Sequence, residues 1–356
     1  MTTNSNPPSA RASRNLAFFG PALGGHEGWV TTQGEVLARL FTRAGHEVHL
    51  SSSRLHPVAR AAEHLVDLVR WRRQVDAVVV SVFSGRAFAL ADETITLAGA
   101  LGIPTVAWLH GGNLPAFGTA HPRWVKRVLG RADAIVSPTG YLARWADTIA
   151  SGGQVIPNVL ELDAYPYRVR EQLRPRLLWM RTFQDLYDPA TAVRTLADLR
   201  AGGIDASLTM AGQDKGLLEA TMSLASDLGV APHITFPGFA SAELKAKLFA
   251  DHDIFVNTNV VDNAPVTVLE AAAAGLAVVS TDVGGIPDLL VDGVSARLVA
   301  PRQPEAMAAA VRDLLGDAAA VARMTAKARA VAEASDWPAV RERWHALIDS
   351  IAVSGR

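Results

Sequence analysis

The sequence predicts an α/β protein with two doubly wound domains, each built on a parallel sheet. Short apolar runs alternate with helix-length segments from end to end, and most of these runs are continuously apolar. Strands that are buried on both faces, with a helix between successive strands, are typical of parallel sheets with right-handed crossovers. The chain has 356 residues, which is more than one hydrophobic core usually covers, so we expect two domains.

The first half of the chain holds six candidate strands. Between the first two, residues 28–45 carry apolar side chains at helical spacing from Val30 to Phe41, and Gly45 is a typical helix end. We therefore expect a first domain over residues 15–160. Its candidate strands are NLAFFG (15–20), EVHLSSS (47–53), AVVVSVF (77–83), TVAWLHG (105–111), AIVSPT (134–139) and QVIPN (154–158).

The second half repeats this alternation. A charged, proline-punctuated stretch at residues 158–175 separates the halves and is predicted to be the linker. We expect the second domain over residues 161–336. Its candidate strands are RLLWMRTF (176–183), ASLTMAG (206–212), ITFPGF (234–239), DIFVNTN (253–259), LAVVSTD (276–282) and SARLVAP (295–301).

The two ends of the chain lie outside this alternation. Residues 1–14 are polar and rich in Pro and Ser, without the apolar core of a signal peptide, and are predicted to form a disordered tail. Residues 337–356 contain a last helix with one apolar stripe that includes Val340 and Trp344. We expect this helix to cross back and pack on the first domain.

Composition and charge exclude several classes of function. The chain has no cysteine, so it has neither a disulfide framework nor a thiolate nucleophile, and its net charge of −1 argues against nucleic acid as a partner. His26, His110 and His121 match no metal-binding spacing, so no metal is predicted. No run of about 18 apolar residues appears, so we expect a cytoplasmic protein.

The loops that follow strands are the candidate site, because ligands of open parallel sheets bind at the carboxyl ends of the strands. The loop at residues 20–28 contains Gly24 and Gly25 just before a helix, where backbone amides can approach a phosphate. It is not a GxGxxG motif and no acidic residue ends the second strand, which disfavours a dehydrogenase. A tight strand-to-helix turn is the alternative interpretation.

Two further strand ends carry polar side chains that could take part in binding or catalysis. His110 follows the fourth strand, where a histidine can donate a hydrogen bond to a sugar hydroxyl or polarise a carbonyl group. Arg181 ends the first strand of the second domain, where a guanidinium can hold a diphosphate and stabilise a leaving group. The alternatives are a structural histidine and an interdomain salt bridge.

The stretch NAPVTVLEAAAAGLAVVSTDVGG (263–285) places a single carboxylate in an apolar helix. Pro265 lies at the helix start, so the amides of Val266 and Thr267 are free donors suited to a phosphate. Glu270 lies one turn further on, where its carboxylate can accept hydrogen bonds from ribose hydroxyls. A solvent-exposed glutamate is the alternative. Gly284–Gly285 form either a ligand-lining loop or a plain turn.

These residues resemble the signature region of glycosyltransferase family 4, whose members are retaining nucleotide-sugar transferases with two Rossmann-like domains (the GT-B fold). The strongest likeness runs from Ile254 to Pro301, and a weaker one covers the chain after residue 14. The resemblance implies that the two domains face each other across a cleft. It also implies that the nucleotide sugar is a substrate and that no cofactor is needed.

The resemblance assigns roles to individual residues. Glu270 matches the second glutamate of the family's Glu-x7-Glu pattern, which holds the ribose, whereas the first position, the donor-sugar contact, is Asp262 here. Arg181 matches the diphosphate-binding arginine, but the family's lysine falls near Leu186 or Tyr187, and Lys215 is one candidate replacement. The remaining matches are Gly24 and Gly25 in the glycine loop, His110 in the active site, and Asn263, Val266, Thr267, Gly284 and Gly285 around the donor.

The implied activity is transfer of a sugar from a UDP- or GDP-sugar to a hydroxyl of a glycan, lipid-linked or small-molecule acceptor in cell-envelope or polysaccharide biosynthesis. The alternatives are a degenerate module that binds nucleotide or glycan without transfer, and a nucleotide-sugar epimerase. The segment HPRWVKRVLGRAD (121–133) combines Trp124 with basic residues. It is either a site of peripheral contact with the cytoplasmic face of a membrane or a solvated basic face.

Overall fold

The computed structural model describes residues 13–26 and 28–354, and these residues form two parallel six-stranded sheets. The predicted tail lies outside the described residues, except for its last two. The Ser13 hydroxyl donates to the Gly45 carbonyl at 2.9 Å, and Arg14 forms an ion pair with Asp349 at 3.0 Å. Both residues are thus held against the first domain.

The first sheet has the strand order β2-β1-β3-β4-β5-β6, and every neighbouring pair is parallel. All six predicted strands are present, each slightly shorter than its apolar run. The chain switches direction between β1 and β3, which opens a crevice at their carboxyl ends. The strands are β1 (Asn15–Phe19), β2 (Glu47–Ser51), β3 (Ala77–Val82), β4 (Thr105–Leu109), β5 (Ala134–Ser137) and β6 (Gly153–Val155).

The second sheet has the order β12-β11-β10-β7-β8-β9, again with parallel neighbours. Its direction switches between β7 and β10, so the loops after these two strands meet at one crevice. The prediction of two doubly wound domains is confirmed. The strands are β7 (Arg176–Met180), β8 (Ser207–Ala211), β9 (Ile234–Gly238), β10 (Ile254–Asn257), β11 (Ala277–Thr281) and β12 (Arg297–Val299).

Helices connect successive strands in both domains, and one-turn 3₁₀ helices occur at Leu162–Ala164, Asp185–Tyr187 and Ala231–His233. The helices are α1 (Gln33–Arg43), α2 (Pro57–Trp71), α3 (Ala87–Ala100), α4 (Leu114–Ala120), α5 (Pro122–Leu129), α6 (Gly140–Asp147), α7 (Pro189–Ala201), α8 (Leu218–Asp227), α9 (Ala242–Asp251), α10 (Val266–Ala273), α11 (Ile286–Leu289), α12 (Pro304–Gly316), α13 (Ala318–Glu333) and α14 (Trp337–Ser354).

The start of α1 differs from the sequence prediction. Val30 was included in the helical stripe, but it is 60% exposed and lies in the loop before the helix. Thr32 starts the helix instead, because its side chain accepts from the Glu35 amide while the Glu35 carboxylate accepts from the Thr32 amide. This capping box satisfies the first free donors of the helix and fixes its start. The loop before it, residues 20–31, is correspondingly longer.

The last helix packs on the first domain, as the sequence predicts. Val340, Trp344 and Ile348 of α14 are buried in the same core as β1, β3 and β4. The Trp344 ring makes a T-shaped contact with the Trp108 ring at a centroid distance of 5.1 Å. Each such side chain contributes about 1.5–3 kcal/mol through burial, so α14 is part of the first domain's core.

The linker is anchored to the second domain by buried hydrogen bonds. Arg170 is fully enclosed, and its guanidinium donates to the backbone carbonyls of Phe249, His252 and Ala274. It also forms an ion pair with Asp253 at 3.2 Å. A buried cation with this many acceptors is well satisfied, and it fixes the linker beside α10.

Candidate active site

Two of the predicted residues meet where the second sheet changes direction. Arg181 directly follows β7 and Asp262 lies in the loop after β10, and the two side chains form an ion pair. Asn259 donates a second hydrogen bond to the same Asp262 oxygen at 2.6 Å. The Arg181 guanidinium also stacks on the Tyr187 ring, 4.0 Å from its centroid. The salt bridge of Arg181 thus joins two loops of one domain rather than two domains.

The first domain contacts the Asp262 loop directly. Thr139, at the start of α6, donates a hydrogen bond to the Asn263 side-chain oxygen. A Cβ added to Gly112 would lie 2.5 Å from the carbonyl carbon of Asp262, so only glycine allows this approach. The loop that carries Asp262 and Asn263 is therefore clamped between the two domains.

Gly284 and Gly285 pack against the backbone of the loop that carries Asp262 and Asn263. A Cβ on Gly284, whose φ is +57°, would lie 1.8 Å from the Asp262 carbonyl oxygen. A Cβ on Gly285 would lie 2.2 Å from the Asn263 carbonyl oxygen, and the Gly285 amide donates to the Asp262 carbonyl at 3.2 Å. These glycines are required by close packing of two backbones, independently of any ligand.

The helix that follows, α10, begins with free amides. Pro265 is the N-cap residue, one position before the helix, and its carbonyl accepts from the amides of Val268 and Leu269 at 3.1 and 3.4 Å. In the described part of the chain, the amides of Val266 and Thr267 have no hydrogen-bond acceptor. Free amides at a helix start carry partial positive charge and suit an anion such as phosphate.

Glu270 is buried, not solvent-exposed, with 4% of the residue accessible. One carboxylate oxygen, Oε1, accepts from the Tyr165 hydroxyl at 2.6 Å and from the Lys245 ammonium at 2.8 Å. The other oxygen, Oε2, is buried and has no hydrogen-bond partner among the described residues. Burial, followed by the negative charge of Glu270, raises the pKa of Tyr165 above its usual range, so this hydroxyl remains a donor.

The sequence analysis missed Tyr165 and Lys245. Both are distant in sequence from Glu270, in the linker and in α9. The signal that points to them is physical: a carboxylate buried in an alanine-rich helix needs a cation or donors nearby.

Buried polar atoms without partners gather at this edge of the second sheet. Buried polar groups are normally paired, so such a group of orphan atoms indicates a site for a polar ligand or water. They are Arg181 Nε, Asn257 Oδ1, Asn259 Oδ1, Asn263 Nδ2, Thr267 Oγ1 and Glu270 Oε2.

His110 lies in the first domain, in an aromatic environment. Its ring stacks on Phe83 at a centroid distance of 5.1 Å and packs against Trp108 at 4.3 Å. Burial lowers the pKa of His110 to about 3, and its Nε2 atom is buried without a hydrogen-bond partner. The imidazole is therefore neutral at neutral pH and retains one nitrogen for a ligand hydroxyl.

The two glycines of the first loop differ in their surroundings. The Gly24 amide donates to Glu35 at 2.9 Å, and an added Cβ would lie 2.6 Å from Thr31 Cα. Gly25 has open space around it, since no atom of the described residues lies within 4 Å of an added Cβ. Gly24 is explained by packing of the turn, whereas Gly25 faces open space.

In the basic segment proposed for membrane contact (121–133), two side chains already bind a carboxylate of the first domain. The Trp124 indole donates to Asp92 at 2.7 Å, and Arg127 forms an ion pair with the same carboxylate at 2.5 Å. Lys126 remains exposed. Among the described residues, no helix combines the length and apolar character needed to cross a bilayer.

Comparison with known proteins links this geometry to a family. The family model of the glycosyl transferases group 1 matches residues 174–317, which span most of the second domain. The second domain is therefore similar to the glycosyl transferases group 1. The resemblance to family 4 is thereby confirmed on the domain that carries Arg181, Asp262 and Glu270.

Several curated glycosyltransferases are similar to parts of this chain. A GDP-mannose-dependent α-(1-6)-phosphatidylinositol monomannoside mannosyltransferase of Mycolicibacterium smegmatis is 35% identical over 140 residues, 37% of this chain and 36% of the relative. A D-inositol 3-phosphate glycosyltransferase of Nocardia farcinica is 26% identical over 60% of this chain and 51% of the relative. The aligned regions thus span about a third to a half of these relatives.

Solved structures extend the likeness to the whole fold. Sucrose-phosphate synthase from Thermosynechococcus elongatus has a TM-score of 0.78 over 96% of this chain and 100% of the other, at 14% identity. The Anabaena HepE protein, solved with UDP and glucose, has a TM-score of 0.74 over 95% of this chain and 100% of the other, also at 14% identity. The GT-B fold, with two Rossmann-like domains, is confirmed.

Proposed function

We propose that this chain is a retaining glycosyltransferase that moves a sugar from a UDP- or GDP-sugar to an acceptor hydroxyl. The observation that carries the proposal is the convergence of three features at one edge of the second sheet. These are the Arg181 guanidinium, the free amides of Val266 and Thr267, and the unpartnered oxygen of Glu270. The guanidinium and the free amides both suit a diphosphate, and the glutamate oxygen suits a ribose hydroxyl.

The diphosphate is the leaving group, so negative charge develops on it during transfer. The bond between the anomeric carbon and the diphosphate oxygen breaks, a bond from the acceptor oxygen to that carbon forms, and the acceptor proton passes to the departing phosphate. Arg181 and the α10 amides stabilise the developing charge, and we expect no requirement for a metal. Asp262 keeps its proposed contact with the donor sugar, beside Arg181.

Retention of configuration fits attack on the face from which the diphosphate leaves. A covalent intermediate needs a carboxylate free to attack the anomeric carbon. The Asp262 carboxylate is already engaged by Arg181, Asn259 and the Asn263 amide. His110, neutral and with a free nitrogen, binds a sugar hydroxyl in this scheme.

A degenerate binding module is the second candidate. The family's lysine falls near Leu186 or Tyr187, so this chain lacks that phosphate-binding cation. An epimerase needs several acids and bases in the cleft, and we place it third. The test is incubation with UDP-, GDP- and ADP-sugars, with and without a panel of glycan, inositol and lipid-linked acceptors. Nucleotide release that depends on an acceptor supports transfer. Donor binding without turnover for any acceptor supports the binding module.

The proposed acceptors are glycans, lipid-linked sugars or small polyols in cell-envelope or polysaccharide biosynthesis, which would place the enzyme at the cytoplasmic face of the membrane. The names of the relatives, which include phosphatidylinositol and inositol phosphate, support this class. Flotation with vesicles of anionic phospholipid tests membrane contact. Binding that Lys126→Glu weakens would support the 121–133 segment, and equal binding by both proteins would exclude it as the contact.

A further inference from the structure

The cations placed so far at the proposed site are matched by carboxylates. Arg181 is paired with Asp262, and Lys245 is paired with Glu270 at 2.8 Å. A departing nucleoside diphosphate gains negative charge, and a guanidinium that is already neutralised stabilises that charge less. The position of the family's lysine supplies no further positive charge, because in this chain that segment carries Tyr187, whose ring stacks on the Arg181 guanidinium.

Lys215 lies in the loop after β8, which runs beside the segment that carries Arg181. The Phe183 amide donates to the Gln213 carbonyl at 2.9 Å, and the Lys215 amide donates to the Phe183 carbonyl at 3.2 Å. An added Cβ on Gly212 would lie 1.8 Å from the Arg181 carbonyl oxygen. The backbones that carry Lys215 and Arg181 are thus joined at the carboxyl ends of neighbouring strands.

The Lys215 side chain extends from this loop to the first domain. Its ammonium lies 6.0 Å from the centroid of the Trp29 ring, in the glycine loop that precedes α1. No carboxylate among the described residues forms an ion pair with it. The neighbouring Asp214 carboxylate is instead occupied by the amides of Gly216 and Leu218, at 2.8 and 3.2 Å. Among the described residues, Lys215 is therefore an exposed cation that contacts an aromatic face and has no carboxylate partner.

We propose that Lys215 supplies the second positive charge for the diphosphate, replacing the lysine that this chain lacks, and that Trp29 positions it across the cleft. This inference rests on the proposed function and names a residue of its phosphate site. Lysine binds phosphate as a mobile point charge, so it need not come from the same loop as in relatives. The contact with Trp29 links this charge to the apposition of the two domains.

The test compares nucleotides with one and two phosphates. Binding of UDP, UMP, GDP and GMP is measured by calorimetry for the wild type, Lys215→Met, Lys215→Arg and Lys247→Met. Lys247 is the matched control, because it is an exposed lysine of α9 that forms no ion pair with the described residues. We expect Lys215→Met to weaken diphosphate binding by about tenfold or more, the loss of one charge-assisted hydrogen bond. Monophosphate binding should change less than twofold, by about 0.4 kcal/mol or less.

Two further variants separate a phosphate contact from a structural role. Lys215→Arg keeps the charge and should restore most of the diphosphate affinity. Trp29→Leu should weaken diphosphate binding by about threefold, and it should add little to Lys215→Met because both act on one contact. An equal loss of affinity for monophosphates and diphosphates in Lys215→Met, or a loss no larger than in Lys247→Met, would overturn the inference.

The outcomes distinguish this inference from the proposed function. If the wild type binds UDP or GDP and transfers sugar while Lys215→Met behaves like Lys247→Met, only the role of Lys215 is wrong. If the wild type binds none of the four nucleotides and transfers no sugar, the proposed function and this inference both fall.

Discussion

The two sides of the cleft are built differently. On the second domain, the loop after β10 and the start of α10 are buried or half-buried, and their polar atoms are either hydrogen-bonded or buried without a partner among the described residues. On the first domain, the glycine loop presents open space at Gly25 and a partly exposed Trp29. The difference teaches that the side proposed for the nucleotide is formed by the fold itself, whereas the side proposed for the acceptor is set by a few surface residues.

The largest expected effect contrasts one glycine from each side. In Gly285→Ala, the new Cβ would meet the Asn263 carbonyl at 2.2 Å and displace the Asp262 loop. We expect turnover to fall by about a hundredfold, as misplacement of about 1 Å can cost that much. Gly25→Ala, in open space, should leave the melting temperature unchanged. Equal turnover in Gly285→Ala and the wild type would show that the rear support of the loop is dispensable.

Glu270→Gln tests the buried carboxylate. The amide keeps the size of the side chain but removes the charge that pairs with Lys245, and its nitrogen is a poorer partner for a ribose hydroxyl. We expect nucleotide affinity to fall by about thirtyfold, with a loss of stability of about 1–3 kcal/mol. Calorimetric titration and thermal unfolding measure these two quantities. Glu243→Gln, on the exposed side of α9, is the control, and unchanged nucleotide affinity in Glu270→Gln would refute the ribose role.

Asp262→Asn tests whether Asp262 restrains Arg181. Removal of the carboxylate charge leaves the guanidinium unneutralised, so we expect nucleoside diphosphates to bind about threefold more tightly, a typical effect for one partly exposed charge. The intact donor should gain less, because the sugar loses its proposed contact. Titration with both ligands measures the difference, and weaker binding of the free diphosphate would contradict this account.

The smallest expected effect concerns His110 and pH. The pKa of His110 is lowered to about 3 by burial, whereas an unfolded histidine titrates near 6.5. Between these values the unfolded chain binds a proton that the folded chain does not, so the free energy of unfolding falls as the pH drops below 6.5. Urea unfolding at pH 7.5 and pH 6.2 should show about 0.6 kcal/mol less pH-dependent loss of the free energy of unfolding in His110→Gln than in the wild type. His64, whose pKa burial lowers to about 4, keeps its own contribution in both proteins.

The strands and the helical stripe of α14 could be predicted because each depends on local patterns. All twelve predicted strands are present, since a strand buried on both faces is apolar throughout. The partners within the site could not be predicted in this way. Arg181 and Asp262 are 81 positions apart, and Tyr165 and Glu270 are 105 positions apart. Such pairs follow from the tertiary arrangement of strands, helices and linker, which local periodicity does not contain.

The prediction failed most clearly at the beginning of α1, where Val30 has an apolar side chain at helical spacing but lies outside the helix. The capping interactions of Thr32 and Glu35 outweigh the apolar pattern there. The consequence is a longer loop that brings Trp29 to 6.0 Å from the Lys215 ammonium.

The position of α14 has a consequence for the order in which the protein is made. The core around β1, β3 and β4 includes Trp344 and Ile348, which leave the ribosome after the whole second domain. The first domain therefore emerges first but is completed last. Until α14 is synthesised, the apolar face around Trp108 lacks the side chains that cover it in the folded protein, and exposed apolar surface of this kind favours aggregation.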